Sequence, residues 1–166
     1  MATPYCEIIN AFLRRIELDR KFFNYLNMTP GQANEIARQR SMGLMNEAIG
    51  ILVSYCSPEV DFADQDDEAG QFNVTLTARE KYLISSLMYQ QYLERDIAKL
   101  KVLNVNYTPT ELRVFDPSNA RQTFMSIYQY VCDQNAQLMD EYRNRGRDDG
   151  QYLSIDFSAY DEADDE

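Results

Sequence analysis

Five carboxylates crowd eight residues of this chain: Asp61, Asp64, Asp66, Asp67 and Glu68 in "DFADQDDE". Oxygen-rich runs of this kind attract hard cations, and the twelve-residue calcium loop is the relevant template. That loop wants acids at its positions 1, 3 and 5, glycine at 6 and glutamate at 12. Counted from Asp64, Asp66 and Glu68 fit, but Ala69 falls where glycine is needed and Thr75 where glutamate is needed. The run reads as a solvated acidic loop or as an acidic contact for a basic partner. No metal site is assigned.

Other chemistry has little to work with. The chain contains no histidine, which removes the commonest general base and a preferred metal ligand. Nucleophile pairs of the Ser/His or Cys/His kind cannot be built. The six glycines are scattered and no phosphate-cradling loop appears. Cys6, Cys56 and Cys132 are far apart and odd in number, so they suggest small buried side chains rather than a disulfide framework or metal pairs. Helical di-iron sites need Glu-x-x-His pairs, which are absent. No pair among the 27 acids stands out for acid–base work. The chain is expected to have no catalytic activity and no cofactor.

The charged groups segregate instead. Arg14, Arg15, Arg20 and Lys21 gather near the end of a first helix, Arg38 and Arg40 lie in a second, and Arg143, Arg145 and Arg147 end the last. Net charge is −11, with eight acids against one base from Arg147 to Glu166. An acidic balance repels phosphate backbones and favours basic protein partners. Basic helix ends on one copy meeting acidic segments of the next would make head-to-tail contacts, which close into rings.

The elements that must carry these groups follow from periodicity. A chain of 166 residues fits one domain, with a tail. Thr3 to Leu18 reads as a helix, Thr3 capping it and Tyr5, Ile8, Ile9, Phe12, Leu13 and Ile16 forming its apolar stripe. "DRKFFNYLNM", 19 to 28, is an aromatic connector. Thr29-Pro30-Gly31-Gln32 opens a second helix with the stripe Ala33, Ile36, Ala37, Leu44, Ala48, Ile51, Leu52 and Tyr55. Gly43 and Gly50 inside it imply a close neighbour or a bend. After the acidic loop and a short strand near 72 to 76, Thr77 and Glu80 make a second capping box. It opens a helix carrying Leu83, Ile84, Leu87, Met88 and Tyr92. Residues 104 to 115 read as a loop. Asp116-Pro117-Ser118 starts a fourth helix with Phe124, Ile127, Tyr128, Val131, Leu138 and Tyr142, stopped near Gly146.

The expected architecture is mainly α: a bundle of about four helices with a short β element and an extended, strand-like C-terminal tail. The bundle spans 1–146, with the acidic insertion at 57–76, and the acidic tail spans 147–166. "QYLSIDFSAY" alternates like a strand and has no obvious partner strand in its own chain. Candidate partner-binding residues are therefore Asp61, Phe62, Asp66, Asp67 and Phe72 in the insertion, Arg143, Arg145 and Arg147 at the helix end, and Tyr152, Ile155 and Phe157 in the tail. Both segments are expected to order only against other polypeptides. No run of about 18 apolar residues exists, so no membrane partner is expected. The first residues lack a basic region and an apolar stretch, so no secretory signal is expected.

"FNVTLTAREKYLISSLMYQQYLERDI", 72 to 97, resembles the corresponding part of tailed-bacteriophage neck proteins, the head–tail connector or adaptor group. The matching order is a helix ending in an aromatic (Ala48 to Tyr55), an acidic loop (Asp61 to Phe72), a helix opened by a Leu-Thr step with an internal Met (Leu76 to Met88), and a C-terminal helix (118 to 142). The resemblance implies a virion structural protein without catalytic residues. It would form a homo-oligomeric ring, dodecameric by the same resemblance, located in the virion neck and assembled in the bacterial cytoplasm. Its partners would be the portal protein and tail or further neck proteins, with DNA only as a duplex passing through an acidic channel. The alternative is a small acidic helical interaction module, a phage chaperone or regulatory protein. The strand-like acidic tail goes beyond the group's pattern.

Overall fold

Two capping boxes set the starts of two of the long helices. Thr29 and Gln32 bond reciprocally, the Gln32 amide N–H donating to Thr29 Oγ1 and the Thr29 N–H to Gln32 Oε1. Thr77 and Glu80 do the same, at 2.7 and 3.2 Å. Each box satisfies orphan backbone donors that a helix N-terminus leaves exposed. A computed structural model describes residues 2–16, 28–56, 58–106 and 117–154, with backbone alone for 99–106 and 117–121. Among them the helices are α1 (Tyr5–Arg15), α2 (Pro30–Cys56), α3 (Ala78–Asn106) and α4 (Pro117–Arg143). The fold is mainly helical, as the stripes predict.

α3 is the spine. It packs on α1, α2 and α4, while α2 also meets α4. The core is Ile8 and Phe12 from α1, Leu44, Met45 and Leu52 from α2, Leu83, Ile84, Leu87 and Met88 from α3, and Tyr142 from α4. Burying each such aliphatic side chain contributes about 1.5–3 kcal/mol. A polar network joins α1, α3 and α4 within this interior. Asn135 of α4 donates to the Ser86 carbonyl and to Gln90 Oε1, and Ser86 Oγ donates to Asn135 Oδ1 at 2.6 Å. Arg15 of α1 donates to Ser86 Oγ and lies over the Tyr82 ring. Because every member has a partner, the network fixes the register of α4 on α3 without an unpaired buried group.

Three two-residue strands close one end: β1 (Thr3–Pro4), β2 (Gln65–Asp66) and β3 (Gln71–Phe72). They form an antiparallel sheet in the order β1-β3-β2, with Thr3 opposite Phe72 and Gln65 opposite Phe72 on the other side. Thr3 is thus a strand residue, not a helix cap: its hydroxyl accepts from the Leu76 N–H at 2.8 Å, and Pro4 precedes the helix. The strand expected over 72 to 76 is limited to Gln71–Phe72.

Other expectations shift for identifiable reasons. Tyr55 is 67% exposed, because α2 turns a second face, with Met45, Ile49 and Cys56, toward α3 and α4. A single stripe cannot describe a helix with two neighbours. The loop expected from 104 begins later, since α3 runs through Asn106. Gly43 and Gly50 have open space where a Cβ would stand, so close packing is not why they are glycine. The connector from 19 to 27, the run 107–116, Ile155, Phe157 and the end of the tail lie outside the described residues.

Candidate functional site

The residues that follow α4 turn back on themselves. Arg145 and Tyr152 form an antiparallel bridge, the Gly146 N–H donates to the Gln151 carbonyl, and the Leu153 N–H donates to the Asn144 carbonyl. Gly150 sits at φ +66, a left-handed conformation that favours glycine at the turn. The Arg145 guanidinium stacks 4.1 Å over the Tyr152 ring and donates to its hydroxyl. Tyr152 therefore has its first partner within its own chain, correcting the expectation that this part of the tail orders only on another polypeptide. The hairpin also straddles the expected boundary at 146/147.

Arg147 ties that hairpin to the start of α3. Its Nε donates to Glu80 Oε1 at 2.8 Å and its Nη2 to Oε2 at 3.1 Å, while Nη2 also reaches the Thr75 carbonyl. Tyr142 OH donates to the same carboxylate, whose side chain has no solvent exposure. Burial by itself raises the Glu80 pKa, but the donors from Arg147, Thr77 and Tyr142 outweigh it and hold the carboxyl below its ordinary value. Burial, then the adjacent Glu80, pushes the Tyr142 hydroxyl well above the ordinary phenol range. A carboxylate saturated by four donors and kept ionised is a poor proton acceptor. The cluster is a clasp between the chain's C-terminal hairpin and α3, not acid–base machinery.

The acidic insertion is likewise folded on its own subunit. Phe62 and Phe72 have no solvent exposure and belong to the core, Phe72 lying edge-on to Tyr5 at 5.0 Å. As core side chains they offer a partner no surface in this structure, which corrects their assignment as contacts. Most of the carboxylates secure the loop's own turns. Asp61 accepts from the Ala63 N–H, Asp66 from the Ala69 N–H and Asp64 from the Asn73 amide. Asp67 accepts from Tyr5 OH at 3.0 Å, and burial together with that bond pushes the Tyr5 pKa up to about 12. Gly70, at φ +67, closes the loop by offering its carbonyl to the Tyr5 N–H. Among the described residues, no group of three or more acids and cysteines is placed to hold a metal ion.

The structure brings Arg143, Arg145 and Arg147 together. With Cys56, Pro58, Glu59, Tyr142 and Leu153 they line a cavity of about 150 Å³ between the end of α2 and the hairpin. Arg143 pairs with Asp140 and Arg145 with Glu141, both on the solvent-facing end of α4. The Arg145 Nε–H is buried and has no acceptor among the described residues. Asp61, Asp66 and Asp67 stay together at the sheet end, apart from this cavity's lining, so the structure yields two charged regions rather than one site. Sequence reasoning missed Glu80 as a buried anchor; its capping-box position was the only signal. Among the described residues no helix is long and apolar enough to cross a membrane. Compared with protein-family models, curated proteins and solved structures, the chain matches none.

Proposed function

We propose that the chain is a head-to-tail connector of a tailed phage, a structural subunit that assembles as a ring between the portal protein and the tail or further neck proteins. The observation that carries the reading is the coincidence of order and structure. The four stretches that resemble the connector group fall on the end of α2, the acidic insertion, the start of α3 and the length of α4. The insertion supports the same reading by presenting carboxylates such as Asp61, Asp67 and Glu68 outward at one end of the bundle. The cations that could meet it are Arg143 and Arg145, whose pairs with Asp140 and Glu141 are at the surface, since Arg147 is engaged by Glu80. Separated patches of opposite charge are what heterologous, ring-closing contacts use. An acidic surface would also keep a passing DNA duplex from adhering.

The second reading, a small acidic helical interaction module, is favoured by one finding: Phe62, Phe72 and Tyr152 already have partners in their own chain. Mixing the purified chain with portal assemblies from the same virion separates the two. A connector adds a ring of density at the portal in electron micrographs and sediments with it. Failure to bind any portal, neck or tail component of that virion would sink the connector reading.

A further inference from the structure

We propose that Asp149–Gly150 is a site of spontaneous aspartate isomerisation, and that the hairpin docked by Arg147 controls its rate. This goes beyond the connector reading and does not depend on it. Among the six glycines, Gly150 alone follows an aspartate or asparagine. With no Cβ beside it, its backbone nitrogen is the least shielded kind of nucleophile for the preceding side chain. That nitrogen attacks Cγ of Asp149 and a C–N bond forms. The hydroxyl of the protonated carboxyl leaves with the amide proton as one water, and a five-membered succinimide results. A second water opens the ring. Addition at Cγ restores aspartate. Addition at the backbone carbonyl breaks its bond to the Gly150 nitrogen, so the chain then runs through Cβ and Cγ and the α-carboxylate is free. The product is an isoaspartate of unchanged mass, made without oxidant, reductant or enzyme.

The folded hairpin holds both reacting groups. The Gly150 N–H donates to the Gly146 carbonyl at 3.0 Å, so the attacking nitrogen is engaged in the turn. Asp149 Oδ1 accepts from the Gln151 N–H at 3.0 Å, which fixes the carboxyl across that turn. The Arg79 side chain of α3 lies against Gly150, its Nη2 standing 2.8 Å from where a Cβ would be. Ring closure therefore requires the turn to open. Arg147, two residues before Asp149, docks the hairpin through its bonds to Glu80 and to the Thr75 carbonyl. Local opening of such a segment has its own free energy, smaller than that of global unfolding, and these bonds set it.

The product does not fit the turn it came from. Isoaspartate adds one backbone atom between Gly146 and Gln151, whose N–H and carbonyl bond to each other across the hairpin. It also places a new carboxylate on the backbone beside Gly150. The register that sets Arg145 opposite Tyr152 is displaced, and with it the stacking of the Arg145 guanidinium on the Tyr152 ring. An isomerised chain holds Arg147 on Glu80 less well, so each conversion favours the open hairpin that allowed it.

Ageing the full chain in mildly acidic buffer at physiological temperature tests the proposal. Isoaspartyl content is read by enzymatic methylation and placed at Asp149 by peptide fragmentation, with Asp149→Ser as the blank. The folded parent is compared with the parent unfolded in guanidinium chloride, with Arg147→Lys and with Arg145→Ala. Arg147→Lys keeps a cation at Glu80 but not the two-pronged bond, and Arg145→Ala loosens the hairpin without touching Glu80. Circular dichroism confirms that both keep the parent's helix content. Conversion at Asp149 should be about tenfold faster in the unfolded chain than in the folded parent, and about threefold faster in each variant. The isomerised chain, once separated, should unfold at lower urea than the parent. No conversion in the unfolded chain would remove the site. Equal rates in the folded and unfolded parent, or in the parent and the two variants, would remove the control by the hairpin.

Discussion

Arg147 closes over Glu80, a residue 67 positions earlier, with its Nε 2.8 Å from one carboxylate oxygen and its Nη2 3.1 Å from the other. This two-pronged contact joins the last described turn of the chain to the first turn of its central helix. Tyr142 and the Thr77 N–H complete the carboxylate's shell. Since Glu80 has no exposure, each donor matters more than it would at the surface.

The clasp predicts an asymmetric pair of variants. Arg147→Ala strands a buried charge and should cost about 3–5 kcal/mol. Glu80→Gln keeps a hydrogen-bonding side chain and should cost less. Urea denaturation of both, followed by circular dichroism, gives the comparison. Equal or negligible losses would remove the clasp from any account of stability.

The same carboxyl sets an acid limit. Its folded pKa is held below the unfolded value, so the stabilisation is fully present above about pH 4.3 and is lost as pH falls from there through the folded pKa. Stability measured between about pH 5 and 2 should fall less steeply in Glu80→Gln than in the parent chain.

Tyr5 sets an alkaline limit of opposite sign. Burial and the Asp67 bond push its pKa up to about 12, so its contribution is present below about pH 10 and lost as pH rises from there toward 12. Tyr5→Phe should cost about 1 kcal/mol at neutral pH and flatten the loss above about pH 10. Tyr142, also raised, retains a share of that loss in the variant.

Gly43 and Gly50 lie inside α2 with open space where a side chain would begin. Changing either to alanine should stabilise the chain by about 0.5–1 kcal/mol, because glycine loses more backbone freedom on folding. Thermal unfolding of the two single variants reads this directly.

The acidic insertion should be indifferent to calcium. Asp61, Asp64, Asp66 and Asp67 each accept a hydrogen bond from their own chain. About 5 mM calcium, enough for even the weak extracellular class of calcium site, should leave the melting temperature unchanged.

What the sequence disclosed was what depends on near neighbours. The capping boxes at Thr29 and Thr77 span three residues each, and both form as expected. The stripes of α1 and α3 repeat at short spacing, and both face the core as expected, with Leu13 and Tyr92 half-buried at its edge. Thr3 was misjudged because its hydroxyl partner, Leu76, is 73 residues away. Phe62 and Phe72 sit among carboxylates that suggest a solvated loop, yet the loop lies across the end of the bundle and directs both rings inward. Glu80 was marked only by its place in the capping box, since its counter-ion stands in a segment that reads as tail. That pairing also changes how the three arginines can be probed. Reversing the charge of Arg147 would unbalance the interior, so surface complementarity is best tested at Arg143, which is mostly exposed.

The position of the clasp has a consequence for truncation. Among the described residues, every apolar side chain of the main core lies at or before Tyr142, and Arg147 comes five residues later. A chain ended just before Arg147 therefore keeps all of those core side chains while Glu80 loses its counter-charge. Such a chain must either enclose an uncompensated anion or open the start of α3 to water.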